Sequence, residues 1–387
     1  MRQTGEYERS TVTGEEVNAF IPFPLPPRDP PLELDDDLAH LLARASEQLR
    51  LLDLAGDLVP SVEWFVYAFV RKEAVLSAQI EGTQATLMDL LEVEASGEGP
   101  VDADVEEVCG YLDALNFAWE ELGRDTGVPI SMRLLSEAHR RLLAGARGAG
   151  KQPGEVRRSQ NWIGGTRPGN ASYVPPPPHR LGDLLSEFEH AVHCDSDLPP
   201  LVRVGLLHVQ FETLHPYLDG NGRLGRLLIT LLLRHWNQLS RPLLYLSLFL
   251  KVHRREYYRR LGAVRSDGDW ERWLAFFLEG VATVAEEAIA TARRLHTIVG
   301  EAREQLLARE DATVLSLRLF ELLPQHPLIT VNRAVDLLGC SRPAAAKALR
   351  VLEAAAVLQP LDARKKNRTL VFKEYLDHLR QGSDVLM

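Results

Sequence analysis

The residues best suited to chemistry lie in one stretch, HPYLDGNGRLGR, at positions 215–226 between two apolar segments. His215 carries the side chain whose usual pKa suits proton abstraction near neutral pH. Asp219 offers a hard carboxylate oxygen, the kind that Mg²⁺ binds together with substrate phosphates. Arg223 and Arg226 are three residues apart, so on a helix they share one face and can hold the same polyphosphate. The combination predicts a site for phosphoryl or nucleotidyl transfer.

The segments on either side must position this stretch, and both predict buried helices. PPLVRVGLLHVQFETL precedes it and GRLGRLLITLLLRHW overlaps its end, so DGNG lies where the second helix begins. Free backbone N–H groups at a helix start, with glycine permitting close approach, form a cradle for phosphate. From spacing alone, the alternative is a glycine-rich turn between helices with a capping aspartate and two surface arginines.

HPYLDGNGRLGR resembles the signature of Fic proteins, HPF-x-D/E-G-N-G-R-x-x-R, and differs from it in having Tyr217 in place of phenylalanine. Fic proteins transfer AMP from ATP to a hydroxyl side chain of a target protein. The resemblance implies that His215 is the base that activates the hydroxyl and that Asp219 is the Mg²⁺ ligand. The residues it implies for ATP binding are Glu81, His215, Gly220, Asn221, Gly222, Arg223, Leu224, Gly225, Arg226 and Tyr257.

Residues 155–178 break the helical pattern, and their central GGTRPGN predicts an extended hairpin. VRRSQNWIGG…ASYVPPPP in this range resembles the flap of Fic proteins, which lies beside the active site. The resemblance implies that an extended target segment adds to the flap as a β-strand; a surface loop is the alternative. The residues that would bind the target are Gln160, Asn161, Trp162, Ile163 and Gly164.

LKVHRREYY at 250–258 resembles the family's segment near the adenine, although relatives often have asparagine where His253 stands. In this segment Tyr257 could stack on the base or could belong to the core.

LSAQIEGTQAT, at 76–86, resembles the inhibitory motif S/T-x-x-x-E-G/N of Fic proteins through Ser77, Glu81 and Gly82. On a helix Ser77 and Glu81 are one turn apart on the same face. The resemblance implies that Glu81 pairs with Arg226 and takes the place of the γ-phosphate of ATP, so that bound ATP is misplaced for transfer. An ordinary solvated helix face is the alternative.

The C-terminal part resembles a winged helix. Residues 330–358 predict a helix, a turn at Gly339–Ser341 and a recognition helix at Ser341–Leu352, and Arg364–Arg368 form the basic tip of a wing. Residues 312–378 carry ten Lys or Arg against six Asp or Glu, although the net charge of the chain is −10. This local basicity indicates DNA as a partner through residues 330–372. A protein contact or dimerisation is the alternative.

Helical periodicity over most of the chain predicts a mainly α protein. The resemblances described above imply a helical Fic core, a small β-hairpin flap and a C-terminal winged helix-turn-helix domain. Residues 1 to about 33 predict irregular structure, because FIPFPLPPRDPPLEL is too rich in proline for a helix or a central strand. The predicted domains are an N-terminal helical region with the inhibitory motif, a catalytic domain and a winged-helix domain, at 1–100, 101–308 and 309–387.

The composition predicts a cytoplasmic protein without a membrane segment. Cys109, Cys194 and Cys340 lie far apart, which indicates reduced thiols, and the longest apolar runs are much shorter than the roughly 20 residues that span a bilayer. The predicted activity is ATP- and Mg²⁺-dependent protein adenylylation, repressed at rest, with the protein itself among the expected targets and a homodimer as the expected assembly. The alternatives are a nucleotide-sensing DNA-binding regulator, another transfer, or removal of AMP.

Overall fold

Helices dominate the computed structural model, which describes residues 2–58, 62–97, 99, 102–145, 147–361 and 368–384. This confirms the mainly α class. In chain order the α-helices are α1 (Asp36–Leu58), α2 (Val62–Ile80), α3 (Leu87–Ser96), α4 (Ala103–Gly123), α5 (Met132–Leu142), α6 (Pro178–His193), α7 (Pro200–Leu214), α8 (Asn221–His235), α9 (Ser247–Val252), α10 (Arg254–Asp267), α11 (Trp270–Leu307), α12 (Val314–Leu322), α13 (Val331–Leu338), α14 (Arg342–Ala354) and α15 (Lys373–Leu379).

The strands are short and form two small antiparallel sheets in the described ranges. They are β1 (Gly5–Val12), β2 (Glu15–Pro22), β3 (Leu328–Ile329), β4 (Gln359–Pro360) and β5 (Leu370–Val371), with short 3-10 helices at Ala149–Lys151 and Pro168–Asn170. β1 pairs with β2, and the second sheet has the order β3-β5-β4. None of the described helices combines the length and the apolar character that crossing a bilayer requires.

The chain divides into two compact units. The first contains Met1–Arg50, Cys109–Pro242 and Phe249–Ala285, and the second contains Leu51–Val108, Leu243–Leu248 and Glu286–Met387. In the first unit α7 packs on α8, α6 and α10, and α5 packs on α8. In the second unit α12, α13 and α14 pack on one another. The domain limits 1–100, 101–308 and 309–387 stay a prediction.

The prediction of irregular structure for residues 1 to about 33 was wrong for the first part of that range. β1 and β2 form an eight-pair hairpin that runs from Gly5↔Pro22 to Val12↔Glu15. Its two-residue turn, Thr13 and Gly14, has φ of 50° and 84°, the backbone that a tight hairpin turn requires. The prolines that motivated the prediction lie mainly after this hairpin, so they do not interrupt its strands.

The elements of the C-terminal unit follow the predicted order of helix, turn, helix and two strands. α13 ends at Gly339, whose φ of 60° turns the chain towards α14, and β4 and β5 follow. The predicted wing residues Arg364, Lys365 and Lys366 lie outside the described residues. Arg368 is described, and its Nη2 lies 2.8 Å from Oε1 of Glu353. Interpretation of this unit as a winged helix stays a prediction.

Candidate active site

The signature loop, residues 215–226, joins the end of α7 to the first turns of α8. His215 closes α7 with φ of 46°, and its N–H donates to the carbonyl of Phe211 at 3.0 Å. Positive φ is uncommon for a residue with a side chain and is found often at functional sites. Gly220 precedes α8 with φ of 75°, which glycine adopts at no steric cost. Left-handed backbone at both places therefore sets the path between His215 and the start of α8.

Arg157 holds the backbone of the signature loop, although it did not stand out in the sequence. Its Nε donates to the carbonyl of His215 at 2.9 Å, and its own N–H donates to the carbonyl of Pro216 at 2.9 Å. Its Nη2 donates to the carbonyl of Pro176. Burial lowers the pKa of Arg157 to about 10, so the guanidinium stays charged at neutral pH. One buried cation thus fixes the loop to the predicted flap segment.

Asn221 closes the loop on itself. Its Oδ1 accepts from the N–H of Tyr217 at 2.9 Å, and its Nδ2 donates to the carbonyl of the same residue at 2.9 Å. The side chain of Asn161 also donates to that carbonyl, at 3.2 Å. Asn221 is only 2% exposed. Its side chain is therefore engaged in folding the loop, which leaves its backbone N–H as the group that could contact a phosphate.

His139 supports the loop from α5. Its ring stacks on Tyr217 with centroids 3.8 Å apart. The N–H of Gly154 donates to Nδ1 at 2.8 Å, so the proton of the neutral ring sits on Nε2, which donates to the carbonyl of Asp219 at 2.9 Å. Burial lowers the pKa of His139 to about 4, which keeps the ring neutral. A buried histidine of fixed tautomer thus positions the backbone of the predicted metal ligand.

The carboxylate of Asp219 remains accessible. Its side chain is 46% exposed, its Oδ1 accepts from the N–H of Gly220 at 2.7 Å, and Nη2 of Arg223 lies 4.0 Å from the same oxygen. Mg²⁺ commonly binds one or two carboxylates together with substrate phosphates, so this donor fits that ion. Among the residues that the structure describes, no three His, Cys, Asp or Glu gather as a metal site.

The start of α8 offers the features of an anion site. The first N–H groups of a helix have no partner within the helix, and in α8 these include those of Asn221 and Gly222. The N–H of Leu224 already donates to the carbonyl of Gly220 at 3.0 Å. Anions bind readily at such a helix start. The N–H groups of α8 that could bind a phosphate are therefore those before Leu224.

Arg223 and Arg226 are 5% and 2% exposed. The macrodipole disfavours a cation at a helix start by roughly 0.3–1 kcal/mol unless negative charge lies nearby. The carboxylate of Asp219, 4.0 Å from Nη2 of Arg223, supplies part of that charge, and a bound anion would add to it.

Leu224 and Gly225, two of the residues predicted to bind ATP, face the core. Leu224 is fully buried. A Cβ on Gly225 would come within 2.3 Å of Oε1 of Glu212, so any other residue would force that carboxylate to shift. The carbonyl of Gly225 also accepts from Nδ1 of His208 at 3.0 Å. Both positions thus have packing roles that the motif did not reveal.

Tyr257, also predicted to bind ATP, is fully buried. Because Nδ1 of His208 donates to Gly225, its Nε2 accepts from the hydroxyl of Tyr257 at 2.8 Å. The Tyr257 ring also lies near Trp273, with centroids 6.1 Å apart. This placement favours the core alternative for Tyr257, and it links α10 through His208 to the first turns of α8.

The predicted flap is extended but forms only a minimal hairpin. Ile163 and Tyr173 make an isolated antiparallel bridge, in which each backbone N–H donates to the other residue's carbonyl, at 2.8 and 3.1 Å. The hydroxyl of Tyr173 donates to the carbonyl of Thr213 at 2.6 Å, two residues before His215. The side chain of Gln160 donates to the carbonyl of Pro175 at 2.7 Å. The bridge and the Gln160 bond join the two arms of the flap, and the Tyr173 bond ties the flap to the end of α7.

The predicted inhibitory residues lie where α2 ends. Ser77 is buried in the last turn of the helix, whereas Glu81 and Gly82 are exposed in the turn that follows. Gly82 has φ of 104°, a conformation that strongly favours glycine. These residues belong to the second compact unit, and Arg226 belongs to the first. The pairing of Glu81 with Arg226 stays a prediction.

Comparison with known families agrees with this site. Residues 39–120 match the Fic/DOC family N-terminal region, and residues 129–233, which include the whole signature loop, match the Fic/DOC family. Similar curated proteins include the protein adenylyltransferase Fic of Drosophila virilis, 33% identical over 164 residues, which are 41% of this chain and 32% of that protein. That of Culex quinquefasciatus is 29% identical over 209 residues, 52% of this chain and 38% of the relative. The chain thus spans about a third of the length of such relatives.

Solved structures of similar fold include a Fic family protein from Desulfovibrio desulfuricans G20, with a TM-score of 0.57 and 21% identity over 88% of this chain and 97% of that one. Fic-1 (residues 134–508) from C. elegans has a TM-score of 0.51 and 23% identity, over 66% of this chain and 71% of that one. These similarities support the helical fold around the signature loop.

Proposed function

We propose that this chain is a protein adenylyltransferase, because residues 39–120 match the Fic/DOC family N-terminal region and residues 129–233 match the Fic/DOC family. It would transfer AMP from ATP to a hydroxyl side chain of a target protein. The observation that carries this proposal is the signature loop, in which His215, the accessible carboxylate of Asp219 and the start of α8 occur within twelve residues. A base, a magnesium ligand and an anion site in one loop match the requirements of transfer from a nucleotide.

In the proposed reaction the target hydroxyl oxygen attacks the α-phosphorus of ATP. A bond forms between these two atoms, the bond from the α-phosphorus to the oxygen bridging to the β-phosphate breaks, and pyrophosphate leaves. The imidazole of His215 accepts the hydroxyl proton, while the N–H groups at the start of α8 and Arg223 hold the phosphates. Mg²⁺, bound through Asp219, would neutralise phosphate charge when present. Arg157 and His139 position the loop that carries these groups.

We propose that Glu81 restrains this activity by pairing with Arg226, as the resemblance of Ser77, Glu81 and Gly82 to the inhibitory motif implies. A carboxylate on the guanidinium would occupy the place of the γ-phosphate, since both bind an arginine through paired oxygens. ATP would then bind with its α-phosphorus out of line with the hydroxyl. Such a restraint would leave nucleotide binding possible and suppress transfer.

The experiment that tests the activity separates the phosphates of ATP. Purified protein is incubated with Mg²⁺ and ATP labelled at either the α- or the γ-phosphate, alone and with a cell lysate. Adenylylation predicts protein-bound label from the α-position only, and intact-mass analysis of the protein itself should show the addition of one AMP. Label from the γ-position would indicate phosphoryl transfer instead. Absence of label from both positions, when the Glu81→Gly variant is assayed in the same way, would contradict the proposal.

A second proposal concerns residues 330–372, which we propose bind DNA. Arg342, Lys347 and Arg350 are exposed on α14, the predicted recognition helix, so this helix presents cations to a partner. Cations clustered on one element are the feature that a polyanion requires. Arg342 also donates to Oδ1 of Asn332 at 2.7 Å, which ties α14 to α13.

A further inference from the structure

The flap alone has too few contacts to keep an extended segment in place. Its bridge consists of the two backbone hydrogen bonds between Ile163 and Tyr173, together with a bond from the N–H of Ser172 to the carbonyl of Ile163 at 3.0 Å. An isolated two-stranded hairpin of far greater length is only marginally stable in water. The extended flap therefore depends on support from elsewhere in the first unit.

Hairpin β1–β2 supplies that support along one edge of the flap. The N–H of Phe20 in β2 donates to the carbonyl of Val174 at 3.0 Å. Backbone groups of successive residues in an extended segment point to opposite sides. Since Tyr173 faces Ile163, Val174 faces β2, and this backbone hydrogen bond joins the flap to the edge of the hairpin. Val174 also packs with Val12, Val17 and Ala19, and Trp162 and Ala171 pack against this cluster.

Glu15 fixes the tip of the flap. Its Oε2 accepts from the N–H of Gly169 at 2.9 Å and from Nη1 of Arg167 at 2.9 Å. Gly169 lies within the 3-10 helix Pro168–Asn170 between the two extended arms. A Cβ on Gly169 would come within 2.3 Å of the same oxygen, so the carboxylate sits directly against the backbone. One side chain of β2 thus replaces several contacts that the short flap lacks.

We propose that hairpin β1–β2 is a positioning element for target binding, with Glu15 as its main polar contact; this rests on the proposed function. The hairpin covers the Val174 edge of the flap and leaves the Trp162 edge for the target. Ile163 directs its backbone groups towards Tyr173, so those of Trp162 point away, and among the described residues they make no hydrogen bond. The occupant is an extended protein segment that carries the hydroxyl and pairs through its main chain. The bond from Tyr173 to Thr213 ties the flap to the chain two residues before His215.

The test compares Glu15→Ala with Glu16→Ala, which removes the same charge from the next residue, whose side chain is exposed. Transfer from α-labelled ATP is measured with a full-length His215→Ala copy of the chain as the acceptor at increasing concentration. We expect Glu15→Ala to raise KM for the acceptor about fivefold, the size of effect given by one lost hydrogen-bonded contact, with kcat little changed. Glu16→Ala should match wild type, and Glu15→Gln, which keeps an acceptor oxygen for Gly169, should restore part of the difference.

Amide hydrogen exchange gives a readout that does not depend on transfer. The N–H groups of Ile163 and Tyr173 should exchange faster in Glu15→Ala and at the wild-type rate in Glu16→Ala. Unchanged exchange in Glu15→Ala would overturn the role of the hairpin in holding the flap, and faster exchange with unchanged KM would overturn its role in target binding. All proteins in this comparison also carry Glu81→Gly, which removes the proposed restraint. Absence of transfer in every one of them, to the acceptor copy and to a cell lysate, would contradict the proposed function, and exchange would then decide on the hairpin by itself.

Discussion

The signature loop and the inhibitory segment at residues 76–86 were both recognised by motif, yet their structures differ in kind. In the signature loop the groups act on near neighbours in sequence: Asn221 bonds to Tyr217, and the N–H of Gly220 bonds to Asp219. In the inhibitory segment Glu81 is exposed beyond the end of α2, and its proposed partner is 145 positions away. A motif is therefore strong evidence where its residues meet locally, and weaker where its meaning depends on a distant residue.

The comparison also shows that a signature combines two kinds of residue. His215, Asp219 and the first N–H groups of α8 are the groups that we propose act on a ligand. Asn221, Leu224 and Gly225 instead have side chains or backbone that shape the loop and its packing. Sequence spacing gives both kinds the same weight, because it contains no information on burial.

The largest effect that tests this comparison is expected from His215→Ala. Transfer of α-labelled AMP should fall by about 10²- to 10⁴-fold, the usual contribution of a general base. ATP binding, measured by calorimetry, should persist, because the proposed phosphate contacts come from α8. Wild-type transfer by the folded variant would show that His215 is not the base. Loss of ATP binding would move His215 into the group of residues that shape the site.

The next largest effect should come from Glu81→Gly, which tests the distant member of the comparison. The variant should transfer AMP about tenfold faster or more, since 1.4 kcal/mol already gives a factor of ten. Helix α2 should remain folded, because Glu73 accepts from the N–H of Ser247 at 3.0 Å and lies two turns before Glu81. Glu63→Gly replaces another exposed glutamate by glycine, at the start of α2. It is the matched control for Glu81→Gly and should leave transfer unchanged.

Arg226→Ala distinguishes a restraint from an ordinary salt bridge. It would break the proposed pair as well, but it also removes the proposed partner of the γ-phosphate, so it should not activate transfer. Melting temperatures of both variants serve as the stability control. A folded Glu81→Gly variant that transfers no faster than wild type would leave residues 77–82 as the ordinary end of a helix.

How far the sequence predicted the structure depends on the range of the contacts. The helices on either side of the signature loop, α7 and α8, were predicted because each carries its own apolar periodicity. The N-terminal hairpin was missed because proline-rich sequence outweighed the Thr13–Gly14 turn between two strand-like stretches. Arg157 and His139 were missed because their roles depend on carbonyl groups about 60 to 80 positions away.

The next prediction concerns the proposed DNA binding, which rests on the basic composition of residues 312–378 and on the exposed cations of α14. If residues 330–372 bind duplex DNA, Lys365→Ala with Lys366→Ala should weaken binding and reduce the salt dependence by about one slope unit for each lost phosphate contact. Lys373→Ala is a suitable control, since Nζ of Lys373 already pairs with Asp377 on α15. An unchanged isotherm, or no binding by the wild type at low salt, would favour the alternative of a protein contact for this unit.

The smallest effect should come from His139→Gln, which separates residues that shape the signature loop from residues that act on ATP. Folding lowers the pKa of His139 from its usual value of 6.5 to about 4 because the ring is buried. Between these values the unfolded chain binds more protons, so the stability contributed by the neutral ring is complete above pH 6.5 and is lost as pH falls towards 4. One such histidine contributes a slope of up to about 1.4 kcal/mol per pH unit. Glutamine cannot be protonated, so the variant should show a shallower decline of the unfolding free energy, measured in urea at pH of about 7 and about 5.

His208, whose pKa burial lowers to about 3, acts in the same direction, so the slope should decrease without vanishing. Because the amide of glutamine can accept from Gly154 and donate to Asp219 as the ring does, transfer by His139→Gln should fall far less than in His215→Ala. If both variants lost transfer equally while ATP binding and folding persisted, His139 would have to act in the reaction itself, and the division of the loop into shaping and reacting residues would be wrong.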